Sequence, residues 1–252
     1  MRNYVLLAAT ALVFTACSEK ASVKYVPYKD RAQQQSGEPL IELEGENFRH
    51  IVSARRSKVG EEIRFRNLRD GFEYTYEISA IGKKSATATL LDKKYIETKD
   101  FSGAKIGWCI VDPKTIEKIL PHLNELGVKE LYFIYSARSQ KNFKPDFERM
   151  EKILINSCCQ CGRNDLIKMK VFGSLKEFMD ETDDFSVFDF GGEALTAEDK
   201  NRLFLIGPEG GFNDEEREIF RQKAKKILSF STKNILKSET AVLAAATFCI
   251  LQ

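Results

Sequence analysis

Residues 202–252 read RLFLIGPEGGFNDEEREIFRQKAKKILSFSTKNILKSETAVLAAATFCILQ, and this stretch decides the fold. Leu203 to Ile206 is a short uninterrupted apolar run, the pattern of a strand buried on both faces of a parallel sheet. It stops abruptly in Gly207-Pro208-Glu209-Gly210-Gly211, so what lies beyond the strand meets backbone rather than side chains. Asn213 is placed to cap a following helix, with Asp214, Glu215 and Glu216 in the first turn where negative charge suits the helix dipole. The glycines therefore mark a strand-to-helix corner at the carboxyl end of a strand, where open α/β sheets bind small ligands. A second loop, Ser231 to Lys237, leads into a helix that starts at Ser238 and runs through Glu239-Thr240-Ala241 into Ala244-Ala245-Ala246. The glycine loop carries neither GxGxxG nor the Lys-Ser/Thr of a P-loop, so the corner reads neither as a dinucleotide site nor as a nucleoside-triphosphate site.

Taken together, GPEGGF and ILKSETA resemble the C-terminal signature of SPOUT-class methyltransferases, and within that class the ribosomal RNA small subunit methyltransferase E family. That family's second motif reads ILRTETA; Lys237 and Ser238 stand here in place of its Arg and Thr, and Thr232 stands where a Gly is usual. The likeness spans roughly Leu40 to Gln252. Glu125-Leu126-Gly127-Val128 matches the family's ELGV, Ser136 to Ser139 its Arg-Ser loop, and Glu148 to Ile153 its ERWxKI. Cys158 to Arg163 matches AxEQSGR, with Cys159 where Glu is usual and Cys161 where Ser is. The resemblance implies an α/β SPOUT domain with a parallel sheet and a deep trefoil knot whose loops hold S-adenosylmethionine. The residues it points to for the cofactor are Ile206, Gly207, Pro208, Glu209, Gly210 and Gly211 from the first loop, and Ile235, Leu236, Glu239 and Thr240 from the second.

A chain of 252 residues, 43% apolar, suits one large domain or two smaller ones. Its formal charge is only +2, so contact with nucleic acid has to come from local patches rather than from a polyelectrolyte character. The two histidines, His50 and His122, are far apart in sequence, which argues against a histidine metal site and against a Ser-His-Asp triad. Of six cysteines, Cys158 and Cys161 form a CxxC with no second half to complete a zinc site. Reduced, mostly buried thiols in a reducing cytoplasm are expected, and no metal.

The first residues pull the other way. MRNYVLLAATALVFTACSEK has one Arg, an apolar run of signal-peptide length, and Thr15-Ala16-Cys17-Ser18, which is similar to a bacterial lipoprotein cleavage site. The run is too short for a permanent transmembrane helix. The same residues resemble the family's first strand, an Arg and an aromatic residue opening the N-terminal domain. The cofactor motifs favour the strand and the cytoplasm, since neither S-adenosylmethionine nor ribosomal RNA is found outside it.

Beyond a polar segment to residue 38, Leu40 to Leu43 is a short strand and Glu46 to Arg55 a helix carrying Phe48, Ile51 and Val52 on one face. Glu62 to Arg66, Phe72 to Ile78 and Ser85 to Leu90 alternate polar with apolar, punctuated by Asp70-Gly71 and Gly82-Lys83-Lys84, which predicts a small antiparallel barrel. HIVSARRSKVGEEIRF resembles the family's HHLxxVLRxxVGDxI and so implies a PUA-like RNA-binding barrel over residues 39–97. A linker follows. From residue 104 onward, apolar strands at Ile106–Val111, Leu131–Tyr135, Leu166–Val171 and Val187–Phe190 alternate with helices opening at Pro113, at Asp146 and near Ser174. That alternation predicts a parallel sheet covered on both faces over residues 104–252.

The resemblance implies methylation of N3 of a uridine in 16S ribosomal RNA or the small ribosomal subunit by a homodimer. N3 carries a proton that must leave, and the atom is hidden in a duplex, so the target must be single-stranded or flipped. Lys237 and Arg163 are cationic candidates for the reacting base, and Glu209 a candidate acid–base group; Glu209 and Glu239 have a plainer reading as helix-end hydrogen-bonding groups. The general base stays open. Arg56, Arg64 and Arg66 in the barrel and Arg138 in the second domain are expected to contact RNA, Arg56 foremost because it falls on the Arg of the family motif. Three alternatives stand beside this: a SPOUT ribose 2′-O-methyltransferase, a noncatalytic RNA-binding protein, and a surface lipoprotein.

Overall fold

The computed structural model describes residues 37–68, 70–96, 103–199 and 203–250. The chain divides into two compact units, residues 1–97 and 98–252. The signal-like segment and the linker residues 97–102 lie outside the described residues.

In the first unit β1 (Leu40–Leu43), β2 (Glu62–Arg66), β3 (Phe72–Ile81) and β4 (Ala86–Tyr95) form an antiparallel sheet in the order β1-β4-β3-β2. The alternation read from sequence places Ile63 and Phe65 of β2 in a core with Ile41, Leu43, Tyr74, Tyr76 and Ile78, while Arg64 and Arg66 face outward. Both long strands run past their expected ends. In β4 the charged stretch Asp92–Lys94 is held by ladder pairing to β3, and Lys93 Nζ sits 4.0 Å over the Phe72 ring, so cation–π contact replaces apolar alternation. The helix expected over 46–55 is a short α1 (Gly45–Phe48) that widens into a π-helical turn, Arg49–Ala54, with Arg55 N–H bonded to His50 O. Directly after it Arg56 adopts φ +53, the left-handed region that non-glycine residues enter at a cost.

In the second unit six parallel strands lie in the order β10-β8-β9-β5-β6-β7. They are β5 (Lys105–Cys109), β6 (Glu130–Ile134), β7 (Lys168–Phe172), β8 (Phe185–Ala194), β9 (Leu203–Ile206) and β10 (Lys226–Ser229). Helices α2 (Pro113–Glu125), α3 (Phe147–Cys161), α4 (Leu175–Glu181), α5 (Asp214–Lys223) and α6 (Ser238–Ile250) cover it. Two apolar clusters flank the sheet: one joins Trp108 and Phe204 to residues of α2 and α6, the other joins Leu203 and Leu205 to Phe178, Phe212 and Phe220. Three helices start where the sequence places them, each behind a capping side chain. Asp112 accepts from Lys114 N–H, Asp146 from Arg149 N–H and Ser174 from Glu177 N–H, with Pro113 at the first helical turn. After β9, in the middle of the sheet, the chain crosses to its edge as β10 and then returns, so that α6 packs on α2, β5 and β9.

Candidate functional site

At the carboxyl ends of β9 and β10, beside the middle of β8, the chain encloses a cavity of about 530 Å³. One wall is the glycine corner, Ile206 to Phe212; a second is the loop after β10, with Thr232, Asn234, Ile235 and Leu236; a third is Phe188 to Gly191. Its floor is apolar: Phe188 and Phe230 stack with ring centroids 4.3 Å apart, beside Leu228 and Ala241. A mainly apolar cleft of this size with a few polar groups is the usual form of a small-molecule site.

Hydrogen bonds fix the corner. Ser238 Oγ donates to Gly207 O at 2.5 Å and accepts from Trp108 Nε1 at 2.8 Å, tying the start of α6 to β5 and β9. Asn213 and Glu216 form a reciprocal capping box at the start of α5. The buried Glu216 carboxylate also accepts from Ala137 N–H at 2.7 Å, which draws the Ser136–Ser139 loop against the corner. From that loop Arg138 Nη1 donates to Gly210 O at 2.5 Å. Arg217 donates to Asp189 at 2.7 and 3.4 Å and so holds the third wall; this partnership raises the arginine's already high pKa. Thr232, standing where the resemblance has Gly, uses its hydroxyl to accept from Asn234 N–H at 3.1 Å and so shapes the second loop from within.

The backbone is what this corner offers a ligand. A Cβ on Gly207 would lie 3.1 Å from the Phe212 ring, and Gly211 has φ +65, so side chains are kept off the corner by packing and by conformation. Among the described residues no hydrogen bond takes up the backbone N–H of Ile235 or Leu236. A nucleoside-like group with hydrogen-bonding edges and an apolar face fits such a cleft.

Of the residues expected at the cofactor, Ile206 to Gly211, Ile235 and Leu236 line the cavity. Glu239 and Thr240 lie in the first turn of α6 and are not in its lining. Glu209 is an exposed residue of the lining, and Lys237 is exposed just before α6 without lining the cavity. Arg138, expected at RNA, lines it too.

Arg163 is not among the cavity residues. Its guanidinium makes paired bonds to Asp165 at 2.9 and 2.8 Å and donates to the carbonyls of Asn124 and Val128 at 3.2 and 2.8 Å. Its fork closes the C-terminal end of α2, where carbonyls lack helical partners. A motif match could not distinguish this from catalysis.

In the first unit Arg56 is exposed, and its side chain makes no hydrogen bond or ion pair among the described residues. Arg64 and Arg66 instead converge on the buried Glu73, at 3.4 and 2.6 Å respectively, and Arg66 is the more enclosed. Cys109 and Cys158 are buried free thiols and Cys161 is a half-buried one. Burial pushes the Cys158 thiol up to about 12, although Asn124 donates to its sulfur. No group of three metal-ligating side chains occurs among the described residues, and none of their helices is long and apolar enough to cross a membrane.

Sequence reasoning missed the third wall, Phe188 to Gly191, and the salt link from Arg217 that holds it. Its one signal was Gly191-Gly192 at the end of an apolar strand.

Comparison with known proteins yields a consistent set. Residues 101–250 match a family model described as an RNA methyltransferase domain, and residues 43–91 one described as an RNA methyltransferase PUA domain. The curated Ribosomal RNA small subunit methyltransferase E of Helicobacter pylori is 41% identical over 214 residues, covering 83% of this chain and 94% of its own. A protein of Legionella pneumophila, described as a methyltransferase and solved with its cofactor SAM bound, superposes with a TM-score of 0.68 at 25% identity, over 90% of this chain and 96% of its own. The Ribosomal RNA small subunit methyltransferase E of Neisseria gonorrhoeae, solved with S-adenosyl methionine, gives 0.66 at 23% identity, over 89% and 94%, a likeness of fold.

Proposed function

The chain belongs to the ribosomal RNA small subunit methyltransferase E family of RNA methyltransferases, and from that premise we propose that it methylates small-subunit ribosomal RNA with S-adenosylmethionine, at N3 of a uridine. The observation that carries this reading is the convergence of Gly207–Gly211 and Ile235–Leu236 on one cavity at the carboxyl ends of β9 and β10, the two strands that flank β8. When bound, the cofactor supplies a methyl group activated by sulfonium charge.

The residues of this chain supply place and order. Backbone groups of Ile206 to Gly211 and of Ile235 and Leu236 hold the cofactor, with Phe188, Phe230 and Leu228 as the apolar surface for its flat portion. Orientation is the larger part of the task, since a donor and an acceptor held in line need little further activation. Arg138, anchored on Gly210, presents positive charge at the cavity, where it favours the deprotonated form of the base as its N3 proton leaves. Glu209 and Lys237 are exposed beside the two loops, and their roles in proton handling are part of the proposal. The PUA unit supplies phosphate contact through Arg56, with Arg64 as its partly exposed neighbour.

We assign the protein to the cytoplasm, where its substrate is, and to a homodimer. Past Thr240, α6 has no fully exposed residue, and Leu243 and Phe248 are only partly buried against the core of their own unit, which leaves apolar surface on the helix for a second copy.

Mass mapping of small-subunit RNA treated with protein and labelled cofactor tests the reading. One methyl on a uridine base is expected. A ribose methyl would move the protein to the 2′-O class, and no incorporation into subunits, naked RNA or transfer RNA would leave an RNA-binding protein.

A further inference from the structure

β10 pairs with β8 in two pieces: Ile227 lies opposite Val187, and the very next residue, Leu228, lies opposite Glu193. Phe188 to Gly192 therefore have no counterpart on β10 and form an arch at the cavity. Both feet are pinned. Asp189 is clasped by Arg217, and Gly192 O accepts from Ser229 Oγ at 2.8 Å. A Cβ on Gly192 would fall 2.6 Å from the carbonyl carbon of Leu228, so that foot lies flat on β10.

The crown is open. Gly191 takes φ +72 with nothing within 4 Å of where a Cβ would stand, and Phe190 beside it is 68% exposed while lining the cavity. Water disfavours a phenyl ring in that position, and the pinned feet keep the arch from folding it inward. On the arch's other flank a second cavity of about 480 Å³ is lined by Arg217, Arg221, Lys225 and Lys226 together with Asp189 and Glu193, and the four cations pair with Asp189, Glu218, Asp184 and Asp199 respectively. An exposed aromatic face beside a groove in which cations outnumber carboxylates is an arrangement by which proteins hold the bases of single-stranded nucleic acid.

We infer that Phe190 is the platform on which the target base stacks when it enters the cavity. The inference rests on the RNA methyl-transfer reading above and names the residue that receives the base.

The test compares the full-length protein with Phe190→Tyr, Phe190→Leu and Phe190→Ala. Binding of a single-stranded oligouridylate is read by fluorescence anisotropy, cofactor affinity by calorimetry, self-association by sedimentation, and KM and kcat on small ribosomal subunits. Tyr should behave as wild type. Leu and Ala should bind the oligouridylate roughly tenfold more weakly, with a matching loss in kcat/KM and no change in cofactor affinity or association. Wild-type binding by Phe190→Ala would overturn the inference. So would a parallel fall in cofactor affinity, which would make the ring a cofactor contact, or dissociation of an oligomer, which would make it a subunit contact. Wild-type protein that transfers no methyl group, while oligouridylate binding still falls in Phe190→Ala, would sink the functional reading and support the platform.

Discussion

The indole N–H of Trp108 donates to Oγ of Ser238 at 2.8 Å across 130 residues of sequence, and the same hydroxyl donates a hydrogen bond to Gly207 O. A core residue of β5 thus sets both the start of α6 and the first carbonyl of the glycine corner. Ser238→Ala removes both bonds and strands a fully buried indole N–H, at a cost of about 1–3 kcal/mol. We expect a lower denaturation midpoint and weaker cofactor binding, whereas Ser238→Thr should retain both. Calorimetry that finds full affinity in the Ala variant would show that the relay does not shape the site.

Gly210 faces the Arg138 stem, and a Cβ there would sit 3.3 Å from Arg138 Cδ. Its backbone is not in the left-handed region, so Gly210→Leu should fold with little loss of stability. The added side chain displaces Arg138 or enters the cavity. Cofactor binding should disappear from calorimetric titration while the thermal midpoint shifts by only a few degrees.

Arg163→Ala should act on stability. It opens the end of α2 by removing two bonds to carbonyls and a bidentate pair with Asp165. Bonds to charged groups contribute about 1.5–3 kcal/mol each, and the pair is partly exposed, so a total loss of roughly 2–4 kcal/mol is expected. The kcat of the folded fraction should be unchanged. A variant of full stability and collapsed turnover would return Arg163 to the catalytic set.

The three barrel arginines should separate. Arg56→Ala should weaken RNA binding and reduce the salt dependence of its logarithm by about one unit. Arg66→Ala should instead destabilise the unit, because it leaves Glu73 buried with only the longer contact to Arg64. Salt titrations of RNA binding, alongside urea denaturation, distinguish the two effects.

Acid should probe Asp199. Burial alone would raise its pKa, yet bonds from the Thr196 N–H and hydroxyl and from Lys226 hold it below the ordinary carboxylate range. A depressed folded pKa contributes stability that is complete above the unfolded value of about 4 and is lost as pH falls through the folded value. Denaturation midpoints should therefore be level in neutral solution and decline below about pH 4. Asp199→Asn should be less stable at pH 7 and show a shallower acid decline. An identical acid slope in the variant would assign that decline to other carboxylates.

Much of this was legible in one dimension. The helix starts at Pro113, Asp146 and Ser174 and the cap at Asn213 are local chemistry, decided within three residues of each helix start. The buried run Leu203–Ile206 and its glycine stop announce a strand and a ligand-facing corner with no help from the rest of the chain. The extended reach of β4 was hidden, because the ladder to β3 carries residues whose own alternation has lapsed.

For the site, the sequence by itself determined which backbone would be bare: glycine and the loop composition are properties of the residues. Which side chains face that backbone was decided only by the tertiary structure. Arg163 belongs to a family motif yet closes the end of α2, while Arg217, in no quoted motif, clasps Asp189 on the cavity wall. The arch Phe188–Gly192 exists only because β10 pairs with β8 in two registers, and Trp108 meets Ser238 only because α6 returns across β5 and β9. Hydrogen bonds and packing act over a few ångströms of space, and the chain's return path sets which distant residues come within that reach.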